Sequence, residues 1–201
     1  MRVALFGGTF DPIHRGHLAV AKAAADAFHL DTILFAPVGR QPLKPDGTPT
    51  PFGDRLAMAR LAAASDPRFS ASDLDVPHPD GTPNYTIDTL STLQRQMPEA
   101  TLFVLVGADS FLHLRQWRQP DRLLTLAEWI VVSRPGFALE DLSPLHLTPV
   151  QLARVHILNT VHEDVSATSL RQRLQHGDPC TDLLLPAVLR YIQAHHLYSC
   201  C

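Results

Sequence analysis

The stretch Val3-Ala4-Leu5-Phe6-Gly7-Gly8-Thr9-Phe10-Asp11-Pro12-Ile13-His14-Arg15-Gly16-His17-Leu18 decides how this chain is to be read. Val3–Phe6 is an apolar run of buried-strand length, and Gly7-Gly8 ends it. From His17 to Phe28 the apolar residues recur at helical spacing, with Leu18, Ala21, Ala25 and Phe28 on one face. A strand that runs through a glycine turn into a helix is the opening of a βαβ unit. In an open α/β sheet, ligands bind outside the carboxyl ends of strands, near helix N-termini. Gly7 and Gly8 leave the backbone bare at such a place, so a phosphate can approach its N–H groups. The helix start adds free donors and the positive end of the helix dipole. His14 and His17 flank Gly16 and project to one side if that turn is helical. Two imidazoles at an anion site can donate hydrogen bonds to phosphate oxygens, which matters most where charge builds during attack on phosphorus. The string is neither the dinucleotide fingerprint G-x-G-x-x-G nor the phosphate loop G-x-x-x-x-G-K-[ST].

Outward from this stretch the same alternation continues. Thr32–Ala36, Phe69–Val76, Leu102–Val106, Trp129–Ser133 and Val155–Leu158 read as strands. Asp54–Ala64, Asn84–Met97, Ser166–His176 and Pro186–His196 read as helices. Short apolar strands alternating with helices predict parallel βαβ units and a sheet covered on both faces. Pro42–Pro51 and Pro77–Pro83 read as loops, and Pro135–Pro149 is the least periodic part. No internal repeat or low-complexity tract interrupts the chain. Its 201 residues suit a single domain over 1–201, with a core over 1–165 and a small helical cap over 166–201.

Composition narrows the function classes. Hydrophobic residues are 45% and charged residues 18%, an ordinary globular balance. The formal charge of −3 leaves no basic excess to release counterions from a nucleic-acid backbone, so no nucleic-acid partner is expected. No apolar run approaches the ~18 residues of a membrane span, and nothing at the N-terminus reads as a signal peptide. Three cysteines, Cys180, Cys200 and Cys201, cannot make a disulfide framework. The expectation is a soluble cytoplasmic protein without a membrane partner. Either a monomer or a homo-oligomer fits.

Two further segments carry chemistry. Val165-Ser166-Ala167-Thr168-Ser169-Leu170-Arg171 opens a helix with Ser166 as N-cap, Val165 and Leu170 as a hydrophobic staple, and Gly177 as its stop. Hydroxyls at Ser166, Thr168 and Ser169, with Arg171 on the face of Thr168, suit a polyphosphate. The bland alternative is a capped helix with an exposed arginine. Val106-Gly107-Ala108-Asp109-Ser110 follows the strongest strand and puts the Asp109 carboxylate at the sheet's binding edge, where ribose hydroxyls can donate to it.

The segment from Gly7 to Leu18 resembles the signature of the nucleotidylyltransferase superfamily, whose hallmark is [HT]-x-G-H. Its form, two glycines followed by Thr-Phe-Asp-Pro-Ile-His, resembles the bacterial nicotinate-nucleotide adenylyltransferase family. The resemblance runs from Arg2 to Tyr198 and implies a Rossmann-like, doubly wound parallel sheet with a small C-terminal helical cap. It implies adenylyl transfer from ATP to nicotinate mononucleotide, giving nicotinate adenine dinucleotide and pyrophosphate. His14 and His17 are then the catalytic pair. Gly7, Gly8, Thr9, Phe10, Asp109, Ser166, Thr168 and Arg171 are implied to bind ATP and its phosphates. Lys44, in Gln41-Pro42-Leu43-Lys44, matches the family's basic loop in part and is either a phosphate clamp or a solvated lysine. Arg134, in Ser133-Arg134-Pro135-Gly136, is a further nucleotide-contact candidate, and Arg55 with Met58 fits the family's Arg-x-x-Met helix. For the pyridine nucleotide, the resemblance implies a backbone N–H of Thr86, stacking on Trp117, and the residue after it, Arg118, where the family often has Tyr. Mg2+ is implied as a cofactor bound through the ATP phosphates, with no metal site of protein side chains. The alternatives are the same transfer to nicotinamide mononucleotide or phosphopantetheine, and a non-catalytic nucleotide-binding module.

Overall fold

The computed structural model describes residues 1–42, 50–133, 142–159 and 166–198. Six strands form one parallel sheet: β1 (Arg2–Gly8), β2 (Thr32–Pro37), β3 (Phe69–Ala71), β4 (Thr101–Gly107), β5 (Glu128–Val132) and β6 (Val155–Leu158). Their order is β3-β2-β1-β4-β5-β6. This is the doubly wound arrangement, and the strand order reverses between β1 and β4. Among the described residues, eight α-helices connect or follow the strands: α1 (Arg15–Phe28), α2 (Phe52–Ala63), α3 (Thr86–Gln96), α4 (Ala108–Leu112), α5 (Pro120–Leu126), α6 (Pro149–Leu152), α7 (Ala167–Gln175) and α8 (Pro186–Ala194). None of the helices among the described residues is long and apolar enough to cross a membrane.

Both faces of the sheet are covered, and the central strands are accordingly apolar through their interiors, with the polar Arg2, Thr101 and Glu128 at their starts. Side chains alternate between faces along a strand, so each strand feeds two cores. Ala4, Phe6, Ile33, Phe35, Phe103, Leu105 and Ile130 join a core with Ala21, Ala24 and Ala25 of α1, Met58, Ala59 and Ala62 of α2, and Leu170, Val188 and Ile192 of the C-terminal helices. Val3, Leu5, Leu102, Val104, Trp129 and Val131 face the other way, onto Ile87, Leu90 and Leu93 of α3, Phe111 of α4, and Leu123 and Leu124 of α5. Alanines on the inner side of α1 let that helix lie close against β1 and β2. The C-terminal helices thus pack on the same face as α1 and α2.

Several predicted boundaries move, and two of the moves have a clear local reason. The strand expected over Phe69–Val76 ends at Ala71. Its neighbour β2 ends at Pro37, which has no N–H to extend the ladder. The Ser72 N–H still donates to Phe35 O at 2.8 Å, and the chain then turns, with Val76 N–H donating to Asp73 O at 3.0 Å. The helix expected from Asn84 starts at Thr86 instead. Asn84 is occupied as a bridge: its Oδ1 accepts from Arg40 N–H at 2.9 Å and its Nδ2 donates to Val76 O at 2.9 Å. The short helix through His113, which the sequence offers as the alternative role of Asp109 as its N-cap, is present as α4, but its N-cap is Gly107. The short helices α5 and α6 lie where the sequence reading placed none.

Candidate active site

The reversal point between β1 and β4 opens into a cavity of about 640 Å3 at the carboxyl ends of the strands. Gly7, Gly8 and Thr9 line one side of it, and Asp109 with Ser110, after β4, line another. Tyr85 and Thr86 at the start of α3, with Gln116, Trp117 and Arg118, line the far end. The structure therefore brings together seven of the residues singled out from the sequence: Gly7, Gly8, Thr9, Asp109, Thr86, Trp117 and Arg118. Each strand end contributes through glycine. A Cβ at Gly7 would meet nothing within 4 Å, so its bareness serves no packing need in the chain itself. A Cβ at Gly107 would lie 2.6 Å from Asp109 Oδ1, so Gly107 gives the carboxylate room to fold back over the strand end. Asp109 lies in the first turn of α4, whose N-cap is Gly107.

At the far end, Thr86 is the first residue of α3, so its N–H is among the helix's orphan donors and points out of the helix. Trp117 is half-buried, and its ring packs edge-on against the fully buried Trp129 with centroids 6.0 Å apart. Its side chain is therefore both anchored in the core and available at the cavity. The Arg118 guanidinium lies 4.7 Å from the centre of the Tyr85 ring, a cation–π contact that holds a positive charge at this end.

The histidine pair sits at the start of α1, which begins at Arg15 rather than His17, with His14 as N-cap. The two rings are 3.8 Å apart between centroids and tilted by 34°. The His14 backbone N–H donates to His17 Nδ1 at 3.3 Å. An Nδ1 that accepts carries no hydrogen, so the neutral ring of His17 has its proton on Nε2, ready to donate outward. The His17 ring also packs edge-on against Phe10 at 5.0 Å, which fixes its plane. Phe10 has a φ of 48°, in the left-handed region, and its ring is in the core against Phe6 and Phe35. What Phe10 offers a ligand is thus its backbone N–H, not its ring.

The loop from Thr9 to Ile13 is held from outside. Thr9 O accepts from Arg55 Nη1 at 2.8 Å, and Asp11 O accepts from Arg171 Nη1 at 2.8 Å. Because the Thr9–Phe10 peptide is trans, fixing Thr9 O toward α2 aims the Phe10 N–H away from it. Arg171 also donates through Nη2 to Thr168 Oγ1 at 3.3 Å. A guanidinium has five N–H groups, so both contacts leave donors for a phosphate. Ser166 caps α7, its hydroxyl accepting from Ser169 N–H at 3.5 Å, and Gly177, with φ of 82°, follows the helix end as expected. Arg171, and through it Thr168, is joined to the histidine loop at Asp11. Ser166, Thr168, Arg171, Phe10, His14 and His17 are not among the residues that line the cavity. Lys44, Arg134 and Val165 lie outside the described residues.

Several residues at the site were not singled out from the sequence. Asp75 lines the cavity yet is only 8% exposed, and it accepts a short hydrogen bond from the Thr89 hydroxyl on α3. Burial pushes its carboxyl above the ordinary carboxylate range. Gly39 lets this wall close: a Cβ there would lie 2.6 Å from Asp75 O and Pro77 N, and 2.7 Å from Asn84 Oδ1. Tyr85 and Gln116 complete the lining beside Trp117. A D-x-D pair before a Pro-Gly loop carries no obvious signal in one sequence. Tyr85 was readable as the aromatic neighbour of Thr86.

Comparison with known proteins agrees with this geometry. The cytidylyltransferase-like family profile matches residues 5–173. The chain is 42% identical over 196 residues to the "probable nicotinate-nucleotide adenylyltransferase" of Roseiflexus sp. (strain RS-1), covering 98% of this chain and 97% of that one. It is 39% identical over 208 residues to the protein of the same name from Neisseria meningitidis serogroup B, covering 98% of each. Among solved structures, Plasmodium falciparum nicotinic acid mononucleotide adenylyltransferase complexed with NaAD superposes with a TM-score of 0.78 at 20% identity, over 98% of this chain and 97% of that one. At that identity the likeness is one of fold.

Proposed function

The chain belongs to the cytidylyltransferase-like family, as one of its nicotinate-nucleotide adenylyltransferases, and on that premise we propose how its residues divide the reaction. It transfers the adenylyl group of ATP to nicotinate mononucleotide, forming nicotinate adenine dinucleotide and pyrophosphate, a step of NAD biosynthesis. The observation that carries the residue assignment is the cavity itself. It joins a bare glycine strand end, suited to phosphate, to a helix start beside a core-anchored tryptophan, suited to an anionic pyridine ring.

The attacking 5′-phosphate is already ionised, so no strong general base is required. Catalysis then comes from positioning and from donors aimed at developing charge. His17 donates through Nε2 to the α-phosphate as charge builds on it, with its Nδ1 held by the His14 N–H. The His14 ring lies against that of His17, and His14 shares the phosphate. The Phe10 N–H and the bare backbone at Gly7, Gly8 and Thr9 receive the phosphate chain. Ser166, Thr168 and Arg171 hold its distal end, and Lys44 and Arg134 are proposed to join them. Asp109 accepts from ribose. Thr86 N–H, Trp117 and Arg118 take the nicotinate ring and its carboxylate. Mg2+, when bound with ATP, would neutralise part of the phosphate charge. The donors on the protein side of this site are amides, imidazoles and guanidinium groups, which fit phosphate oxygens and leave the metal to the nucleotide. On this reading the protein works in the cytoplasm.

The test is pyrophosphate release with ATP and magnesium, offering nicotinate mononucleotide, nicotinamide mononucleotide and phosphopantetheine in parallel. Strong preference for the acid is the expected result. Preference for another acceptor overturns the pyridine assignment, and silence with all three overturns catalysis.

A further inference from the structure

We infer that Tyr198, in the tail beyond α8, is a positioning residue for the phosphate loop, acting through Asp11 together with Arg55. This rests on the reading of the Thr9–His14 loop as the phosphate site.

Between β1 and α1 the chain makes no regular ladder or helix, and it passes through a left-handed backbone at Phe10. Such a loop keeps one shape only if its polar groups are held from outside. Asp11 is the critical group. It is 1% exposed, and its Oδ2 has no hydrogen-bond partner among the described residues. Its Oδ1 accepts from the Tyr198 hydroxyl at 2.5 Å, a separation typical of a strong bond to a carboxylate. Arg55, also 1% exposed, donates to Thr9 O at 2.8 Å and to Thr50 O at 3.1 Å, and its charge offsets that of Asp11. Burial and the bond to Asp11 push the Tyr198 phenol far up, so it remains a donor at any working pH.

The tail is shaped for this contact. His196 and Tyr198 both adopt left-handed φ values, 51° and 61°. Non-glycine residues hold such conformations when surrounding contacts over-determine them. The Tyr198 ring packs against the core under α1 and α2, and its hydroxyl reaches a loop at the opposite end of the chain. Arg55 sets the Thr9–Phe10 peptide and hence the aim of the Phe10 N–H, while Tyr198 sets the Asp11 side chain beside it. Neither Tyr198 nor Asp11 needs to touch a nucleotide to control how the donors of the loop are presented.

Tyr198→Phe removes one hydroxyl and keeps the ring. With ATP and nicotinate mononucleotide as substrates, kcat is expected to fall ~10- to ~100-fold, the scale of a displaced reacting group, while KM for nicotinate mononucleotide stays within twofold. A merely structural role would lower the melting temperature and leave kcat alone. The double variant Tyr198→Phe/Asp11→Ala is expected to be no slower than Asp11→Ala, because alanine removes the acceptor and phenylalanine the donor of the same bond. In the ligand-free protein, the backbone amide resonance of Phe10 should shift in Tyr198→Phe and stay put in a surface control, Arg122→Gln. An unchanged kcat together with an unmoved Phe10 amide overturns the inference. If the parent protein itself releases no pyrophosphate, the function reading fails, and the Phe10 amide alone decides for or against the positioning contact.

Discussion

Replacing Gly7 with alanine separates what the protein needs at the end of β1 from what its ligand needs there. Gly7 pairs with Ala36 in the β1–β2 ladder, and a Cβ added to it meets nothing within 4 Å. Its φ lies outside the left-handed region, so alanine fits without strain. The folded chain should therefore tolerate the methyl group. Stability should rise by about 0.4–1 kcal/mol, because alanine has less unfolded-state freedom to lose. For a chain of this size that is an increase in Tm of about 1–4 °C. A phosphate or sugar packed against the bare backbone has no such tolerance. The new Cβ stands about 1.5 Å out from Cα, and overpacking of a close contact costs about 1–3 kcal/mol. In KM for ATP that is a rise between about 5- and 150-fold.

Gly39→Ala is the counterpart with the opposite signature. Its Cβ would lie 2.6 Å from two backbone atoms and 2.7 Å from the doubly bonded Asn84 side chain, none of which can swing aside. It should lose about 1–3 kcal/mol of stability. Thermal denaturation and steady-state pyrophosphate release on the two variants, measured side by side, give both numbers. A Gly7→Ala protein that is as stable as the parent and binds ATP equally well would refute the argument that nucleotide runs over this strand end.

Three other perturbations follow from the same geometry. His17→Ala should cut turnover about 10²- to 10³-fold, the usual loss for one donor to a developing oxyanion, while calorimetry shows nicotinate mononucleotide still bound; near-normal turnover would remove His17 from the chemistry. Arg118→Gln removes an exposed charge worth at most about 1 kcal/mol toward a carboxylate, so kcat/KM for the acid should fall about fivefold and that for the amide should stay within twofold; equal losses on both would make Arg118 a wall rather than a selector. Asp75→Asn tests the buried carboxyl by pH. Burial holds its folded pKa above the unfolded value, so its contribution to stability is full below the ordinary carboxylate pKa and is lost as pH rises through the raised one. The Tm of the variant relative to the parent should climb as pH rises from about 4; a difference that stays flat to pH 8 would show that Asp75 carries no such penalty.

What could be read from the chain is what repeats locally. Apolar runs of strand length, helical spacing at Leu56, Ala59 and Ala63, the Ser166 cap and the Gly177 stop each depend on residues a few positions apart, and each appears in the structure. The parallel sheet followed from strand–helix alternation, and its doubly wound form from the family resemblance, whereas the strand order is read only from the structure. The helix Pro120–Leu126 was not read: proline at its first position and Asp121 in its first turn are start signals, but its apolar pair, Leu123 and Leu124, is too brief to show periodicity. The cavity's second wall was less accessible. Asp75 reads as one more acid in a polar loop until Gly39 and Asn84 fold the loop shut over it.

The clamp on the phosphate loop was beyond any local reading, because its partners are 46, 160 and 187 positions from the residues they hold. That separation has a physical consequence for the motif itself. Thr9 to His14 specifies residue types with the right donors, but the direction of those donors is set elsewhere. A peptide whose carbonyl is taken by Arg55 must turn its N–H the other way, and a buried Asp11 must find a proton donor or move. If the loop is the phosphate site proposed above, the histidine signature is therefore only half of the catalytic device. The other half is distributed over α2, α7 and the tail, where single substitutions of apparently ordinary residues should be felt in kcat before they are felt in binding of the pyridine nucleotide.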